Sequence, residues 1–225
     1  MDLRVRDDPA RAVAEMLVEA AGGGRHIVLT GGSTPAKAYA MAADADWSRA
    51  TAWFGDERCV DPDDERSNYG MTRKTLLDSL RQEPDVVRMR GELGPEEGAR
   101  EYEAQIRDRL GDEPRFDLLL LGLGPDGHCA SLFPNRPEKE VRDRLVVGVP
   151  EAGMEPYVPR ISLTLPCLNA ARRVVFLVTG SGKAEAMRRA FGDPPDHALP
   201  AAHVRPPAGE LVVVCDAAAA GELTR

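Results

Sequence analysis

The apolar run at residues 116–121 (FDLLLL), broken off by Gly122, Gly124, Pro125 and Gly127, constrains the fold more than any other stretch. Six residues of this character bounded by turn formers read as a buried strand. The irregular loop that follows delivers Asp126 and His128 to the strand's carboxyl end. Open α/β sheets bind their ligands there. A histidine with a carboxylate two positions earlier is a candidate general base held by an acid.

The rest of the chain alternates in the same sense. Helical spacing at residues 11–21 puts Val13, Met16, Leu17 and Ala20 on one face, and Gly22, Gly23 and Gly24 stop it. A short strand at 26–30 leads through Gly31 and Gly32 to a helix starting at Thr34 (N-cap) and Pro35 and running to about Ala43. A strand at 51–55 precedes a long polar loop at 56–66, and Ser67 caps a helix at 68–80. Further helices are predicted at 96–110, 183–191 and 217–223, and further strands at 145–149, 161–165, 173–179 and 211–215, the last closing the sheet. Strands alternating with helices predict one α/β domain over residues 1–225: a mainly parallel, Rossmann-like sheet with helices on both faces. The proline-rich stretches 150–159 and 194–207 read as ordered loops and as candidate walls of a substrate mouth.

Lys plus Arg number 29 against 37 Asp plus Glu, a formal charge of −8, which argues against a nucleic-acid surface but leaves room for a local basic pocket. Cys59, Cys129, Cys167 and Cys215 are widely spread without a CxxC pair, as expected for reduced thiols in a cytoplasmic protein. The charged first residues contain no signal-peptide core, and no run approaches the roughly 18 apolar residues of a membrane span.

Four strand-to-loop junctions carry polar groups. Residues 30–35, TGGSTP, place Gly32, Ser33 and Thr34 at a helix start, where free N–H groups and the dipole favour a phosphate; the same residues also read as a plain glycine turn. Asp56, Glu57 and Arg58 follow a strand and could orient hydroxyls or grip a phosphate, or form a solvated loop. Asp126 and His128 form the third group; Cys129 beside them reads as a small space-filling residue more readily than as a nucleophile. Lys183 sits at a helix N-terminus, where a cation is unfavourable unless an anion binds. GxSxG, HExxH and metal-ligand spacings are missing, so the pocket reads as one for acid–base chemistry on a phosphorylated polyhydroxy compound, without metal, cofactor or covalent intermediate.

The segments LTGGSTPAKAY, WFGDERCVDPDDERSNYGM, LLLLGLGPDGHCASLFP, PRISLTLPCLNAARRVVFLVTGSGKAEAM and LPAAHVRP occur in one order along nearly the whole chain. Together they resemble the glucosamine-6-phosphate isomerase/6-phosphogluconolactonase family, on the lactonase side. The resemblance implies a NagB/RpiA/CoA transferase-like fold. It also implies hydrolysis of 6-phospho-D-glucono-1,5-lactone, the second step of the oxidative pentose phosphate pathway, with no cofactor and as a monomer or weak homo-oligomer. It points to His128 as the base that activates water, supported by Asp126, and to Gly32, Ser33, Thr34, Asp56, Arg58, Arg160 and Lys183 as substrate- or phosphate-binding positions. Asn169 also matches a motif position, without a role. Cys129 stands where a threonine is common in the family. Two other readings remain open: an amino-sugar phosphate deaminase with Asp56 as the base, and a sugar-phosphate sensor domain. The deaminases resemble the chain less, because Asp56-Glu57-Arg58 and ASLFP depart from their loops.

Overall fold

Seven parallel strands form the central layer. The computed structural model describes residues 1–221 and 223. Along the chain run β1 (Asp2–Val5), α1 (Pro9–Gly22), β2 (His26–Leu29), α2 (Ser33–Ala42), β3 (Thr51–Phe54), β4 (Asp56–Arg58), α3 (Asn68–Thr75), β5 (Asp85–Val86) and α4 (Pro95–Leu110). Then come β6 (Leu118–Leu121), β7 (Val146–Val149), β8 (Arg160–Leu163), α5 (Leu165–Asn169), β9 (Arg173–Val178), α6 (Ala184–Phe191), β10 (Glu210–Cys215) and α7 (Ala217–Ala220). The main sheet has the order β1-β10-β9-β6-β2-β3-β5, every neighbour parallel, and is flanked by helices.

Central strands are apolar on both faces because both faces are covered. All four leucines of β6 are buried, pairing in register with β2 (Val28 opposite Leu119) and β9 (Leu120 opposite Val175). Helix α1 starts where Asp8 accepts a hydrogen bond from the Arg11 N–H and Pro9 takes the first turn. Its apolar face, with Val13, Leu17 and Ala21, is buried against the sheet and α2.

The structure departs from the expected layout in several places. The strands at 146–149 and 160–163 do not join the main sheet; with β4 they form a separate antiparallel sheet, β4-β8-β7. The expected polar loop at 56–66 therefore begins as a strand, whose three residues pair with β8. Strand β10 does not close the sheet, because β1 (DLRV) adds outside it. An edge strand with one half-solvated face needs little apolar content, so β1 carries no hydrophobic signal. Finally, the 68–80 helix breaks after Thr75, and the terminal helix ends at Ala220; Glu222, within its expected span, lies outside the described residues. No helix among the described residues is long and apolar enough to cross a membrane.

Candidate active site

From β2 the chain moves outward through β3 to β5, whereas from β6 it moves the other way through β9 and β10. The sheet thus has its topological switch point between β2 and β6, where loops diverge and leave a crevice at the strands' carboxyl ends. A cleft of about 300 Å³ opens there. It is lined by the loops after β2 (residues 30–35), β3 (Asp56, Arg58), β6 (residues 122–130) and β9 (Thr179, Lys183), and by Asn68, Phe133, Met154, Glu155 and Arg160. All four junctions singled out from the sequence meet at this one cleft.

His128 faces the cleft and Asp126 stands behind it. The imidazole Nδ1 lies 2.6 Å from Asp126 Oδ1, and the same oxygen accepts from the His128 backbone N–H at 3.2 Å. Burial pushes the Asp126 carboxyl up, but the hydrogen bond and charge of His128 outweigh it and hold the group below the usual aspartate value. An ionised carboxylate only accepts, so Nδ1 carries the hydrogen and the Nε2 lone pair is left as the basic site. Gly124 makes this packing possible, because a Cβ at that position would overlap both His128 Nδ1 and Asp126 Oδ1. The backbone N–H of Gly124 donates to the His128 carbonyl and that of Gly127 to the Gly124 carbonyl, so the loop closes on itself.

The cleft also gathers electropositive groups. Helix α2 begins at Ser33 with Gly32 as its N-cap at φ 113°, a backbone state suited to glycine, and no side chain caps it. The first N–H groups of a helix have no intrahelical acceptor, so those of Ser33 and Thr34 are of the kind that can receive an anion. Thr34 is therefore not the N-cap; its hydroxyl instead exchanges a 2.9 Å hydrogen bond with that of Thr179. The half-buried ammonium of Lys183 has no hydrogen-bond or ion-pair partner among the described residues, while its backbone N–H donates to the Gly180 carbonyl. Burial pushes its ammonium below the usual lysine value, partly opposed by the charge of Asp126. Arg58 and Arg160 are direct cross-strand partners. The charge of Asp56 offsets the repulsion between the two guanidinium groups.

The acids after β3 are engaged in structure. Glu57 is buried and accepts from the N–H groups of Arg58, Asn68 and Tyr69, each at 2.7 Å, and from the Ser67 hydroxyl. It anchors the start of α3 and does not line the cleft. Asp56, also buried, accepts from the Ser131 hydroxyl at 2.7 Å and from Asn68 Nδ2 at 3.2 Å. Asp56 reaches the cleft as a fixed carboxylate.

The model for glucosamine-6-phosphate isomerases/6-phosphogluconolactonase matches residues 4–213. The chain belongs to that family. It is 42% identical to human 6-phosphogluconolactonase over 90% of this chain and 79% of the relative. It is 38% identical to the Streptomyces coelicolor 6-phosphogluconolactonase over 96% and 89%. The solved 6-phosphogluconolactonase of Trypanosoma cruzi superposes with a TM-score of 0.89 at 28% identity, covering 100% of this chain and 97% of that one.

Within this family fold, each expected position has a location. Gly32, Ser33, Thr34, Asp56, Arg58, His128, Arg160 and Lys183 line the cleft, and Asp126 lies behind His128. Arg160 is not a free anion ligand: its Nε and Nη2 are bonded to loop carbonyls. Arg58 donates through Nη1 to the Arg66 carbonyl at 2.6 Å. Asn169 stands apart from the cleft and bridges the His203 carbonyl and the Arg205 N–H. Cys129 is buried and burial raises its thiol well above the usual value, which disfavours a nucleophilic thiolate. Asn68, Phe133, Met154 and Glu155 line the cleft without having been singled out. Met154 and Glu155 belong to the proline-rich stretch read as a mouth, whereas Asn68 looked only like the residue after a helix cap. Among the described residues, no group of three or more His, Cys, Asp or Glu is placed to hold a metal ion.

Proposed function

We propose that the chain hydrolyses 6-phospho-D-glucono-1,5-lactone to 6-phospho-D-gluconate, with His128 activating the water. The reading rests on one arrangement: an imidazole tied through Nδ1 to a carboxylate at 2.6 Å, facing a cleft that also offers a helix start, Arg58 and the unpaired Lys183 ammonium. The similar human and Streptomyces coelicolor proteins carry the lactonase name, which supports the substrate class. The cytoplasmic location and a monomeric or weakly associating state belong to the same reading.

The phosphate docks at the N–H groups of residues 32–34 with Arg58 and Lys183, and this distant grip orients C1 towards His128. Nε2 takes a proton from water as its oxygen bonds to C1, forming a tetrahedral oxyanion. The N–H groups of Gly124 and Gly127 are engaged within their own loop and do not serve as donors to the oxyanion. The C1–ring oxygen bond then breaks, the Nε2 proton passes to the leaving oxygen as the C5 hydroxyl, and the new acid ionises. Asp126 stabilises the imidazolium formed in between. Such general acid–base catalysis contributes roughly 10²–10⁴-fold. Deamination through Asp56 fits less well, because that carboxylate is already fixed by Ser131 and Asn68.

His128→Ala is expected to lower kcat by about 10²–10⁴-fold while 6-phosphogluconate still binds. Stopped-flow turnover with equilibrium binding checks this. Near-normal turnover would remove His128 from the mechanism.

A further inference from the structure

Arg160 is 4% exposed although it lines the cleft. Its guanidinium reaches across one turn of the mouth loop. Nη2 donates to the carbonyls of Met154 (3.2 Å) and Pro156 (2.8 Å), and Nε to that of Val158 (3.3 Å). Three carbonyls of a five-residue loop thus converge on one side chain that the planar fork of arginine satisfies and an ammonium does not. The loop it gathers continues from a segment packed on Phe133. Gly153, just before it, packs so tightly that a Cβ would lie 2.9 Å from Phe133 Cγ. The guanidinium carbon itself sits 5.9 Å from the Phe133 ring centroid. The Phe133 ring also meets the His128 imidazole, centroids 4.8 Å apart and planes tilted 46°. The imidazole is held on its Nδ1 side by Asp126, and Phe133 is the aromatic ring packed beside it.

We infer that Arg160 is a positioning residue for the reaction: by gathering the 154–158 loop onto Phe133 it sets the plane of the His128 ring and so the direction of Nε2. The inference rests on the reading of His128 as the base. Its consequence differs from that of a phosphate ligand. A ligand of the phosphate acts only on the phosphorylated substrate and mainly through KM. A residue that aims the base acts on kcat, and equally on a lactone that has no phosphate.

The test is steady-state kinetics of Arg160→Lys, Phe133→Leu and the double variant on 6-phosphogluconolactone and on plain gluconolactone. Arg160→Lys keeps the charge and loses the fork. A misaimed base costs on the order of 10- to 100-fold. Arg160→Lys and Phe133→Leu are each expected to lower kcat by that factor on both lactones, with KM for the phosphorylated one changed less than about threefold, and the double variant to fall no further than the worse single one. A loss confined to KM for the phosphorylated lactone, or fully additive losses, would overturn the inference. If Arg160→Lys does not fold, Gly153→Ala carries the test, because its methyl would meet the Phe133 ring first. Unchanged kcat in Gly153→Ala would then count against the proposal. His128→Ala run alongside separates the two failures: an active His128→Ala defeats the base, whereas an inactive one with a KM-only Arg160→Lys defeats only the positioning role.

Discussion

A single Cβ decides whether the Asp126–His128 pair can form. Gly124 lies against both His128 and Asp126, and a methyl group on its Cα would overlap Nδ1, which leaves no room for alanine. Gly124→Ala is expected to displace the imidazole and lower kcat/KM by about 10²-fold, because misplacement near 1 Å has that cost. Kinetics of the variant, with circular dichroism to confirm the fold, checks it. Lys183 makes a second residue-scale prediction. Burial lowers its pKa from the ordinary 10.5, so the ammonium loses its proton earlier than a surface lysine as pH rises. A bound phosphate favours the charged form. Phosphate affinity is therefore present at neutral pH and declines as pH rises through the lowered value. KM measured against pH should climb on the alkaline side, and Lys183→Arg, which stays charged, should flatten that climb.

Elements reach the cleft through their ends. Helix α3 begins where the Glu57 carboxylate collects three N–H groups and a hydroxyl, and this holds β4 to the helix. Burial, the dominant influence, raises the Glu57 pKa against the lowering effect of those N–H donors. Glu57→Gln keeps the shape but turns an NH₂ group towards N–H donors. It is expected to cost about 1–3 kcal/mol, the range for a buried group left unsatisfied, measured by urea unfolding. Helix α2 plays the opposite part: its start has no side-chain cap, so its N–H groups remain for a ligand. The sequence placed α2 correctly but assigned the cap to Thr34. The hydroxyl of Thr34 goes instead to Thr179 across the sheet, a partner 145 residues away.

On the scale of the molecule, a seven-stranded sheet carries all four functional loops on one edge. The chain should therefore unfold in a single transition that ligand raises as a whole. 6-Phosphogluconate at a hundredfold excess over its Kd adds about 2.7 kcal/mol. That corresponds to a rise in Tm of roughly 5–10 °C for a chain of this size. Plain gluconate at the same concentration should raise Tm less. Differential scanning calorimetry distinguishes the two, and equal shifts would argue against the phosphate grip.

Strong local signals determined much by themselves. The leucines of β6, the glycines after it, the TGGSTP and TGSGK turns and the position of His128 were all legible, because hydrophobic runs and turn residues act on their immediate neighbours. Only the tertiary structure decided the rest. The division into a parallel and an antiparallel sheet, and the outer position of β1, depend on strand partners distant in the chain. So do the use of Glu57 as a helix anchor and the grip of Arg160 on the mouth loop. Asp126 and His128 sit two residues apart, yet their contact needs the bare Cα of Gly124 and a loop folded back on itself. Local composition makes a residue available for chemistry, but partners from elsewhere in the chain fix which way it points.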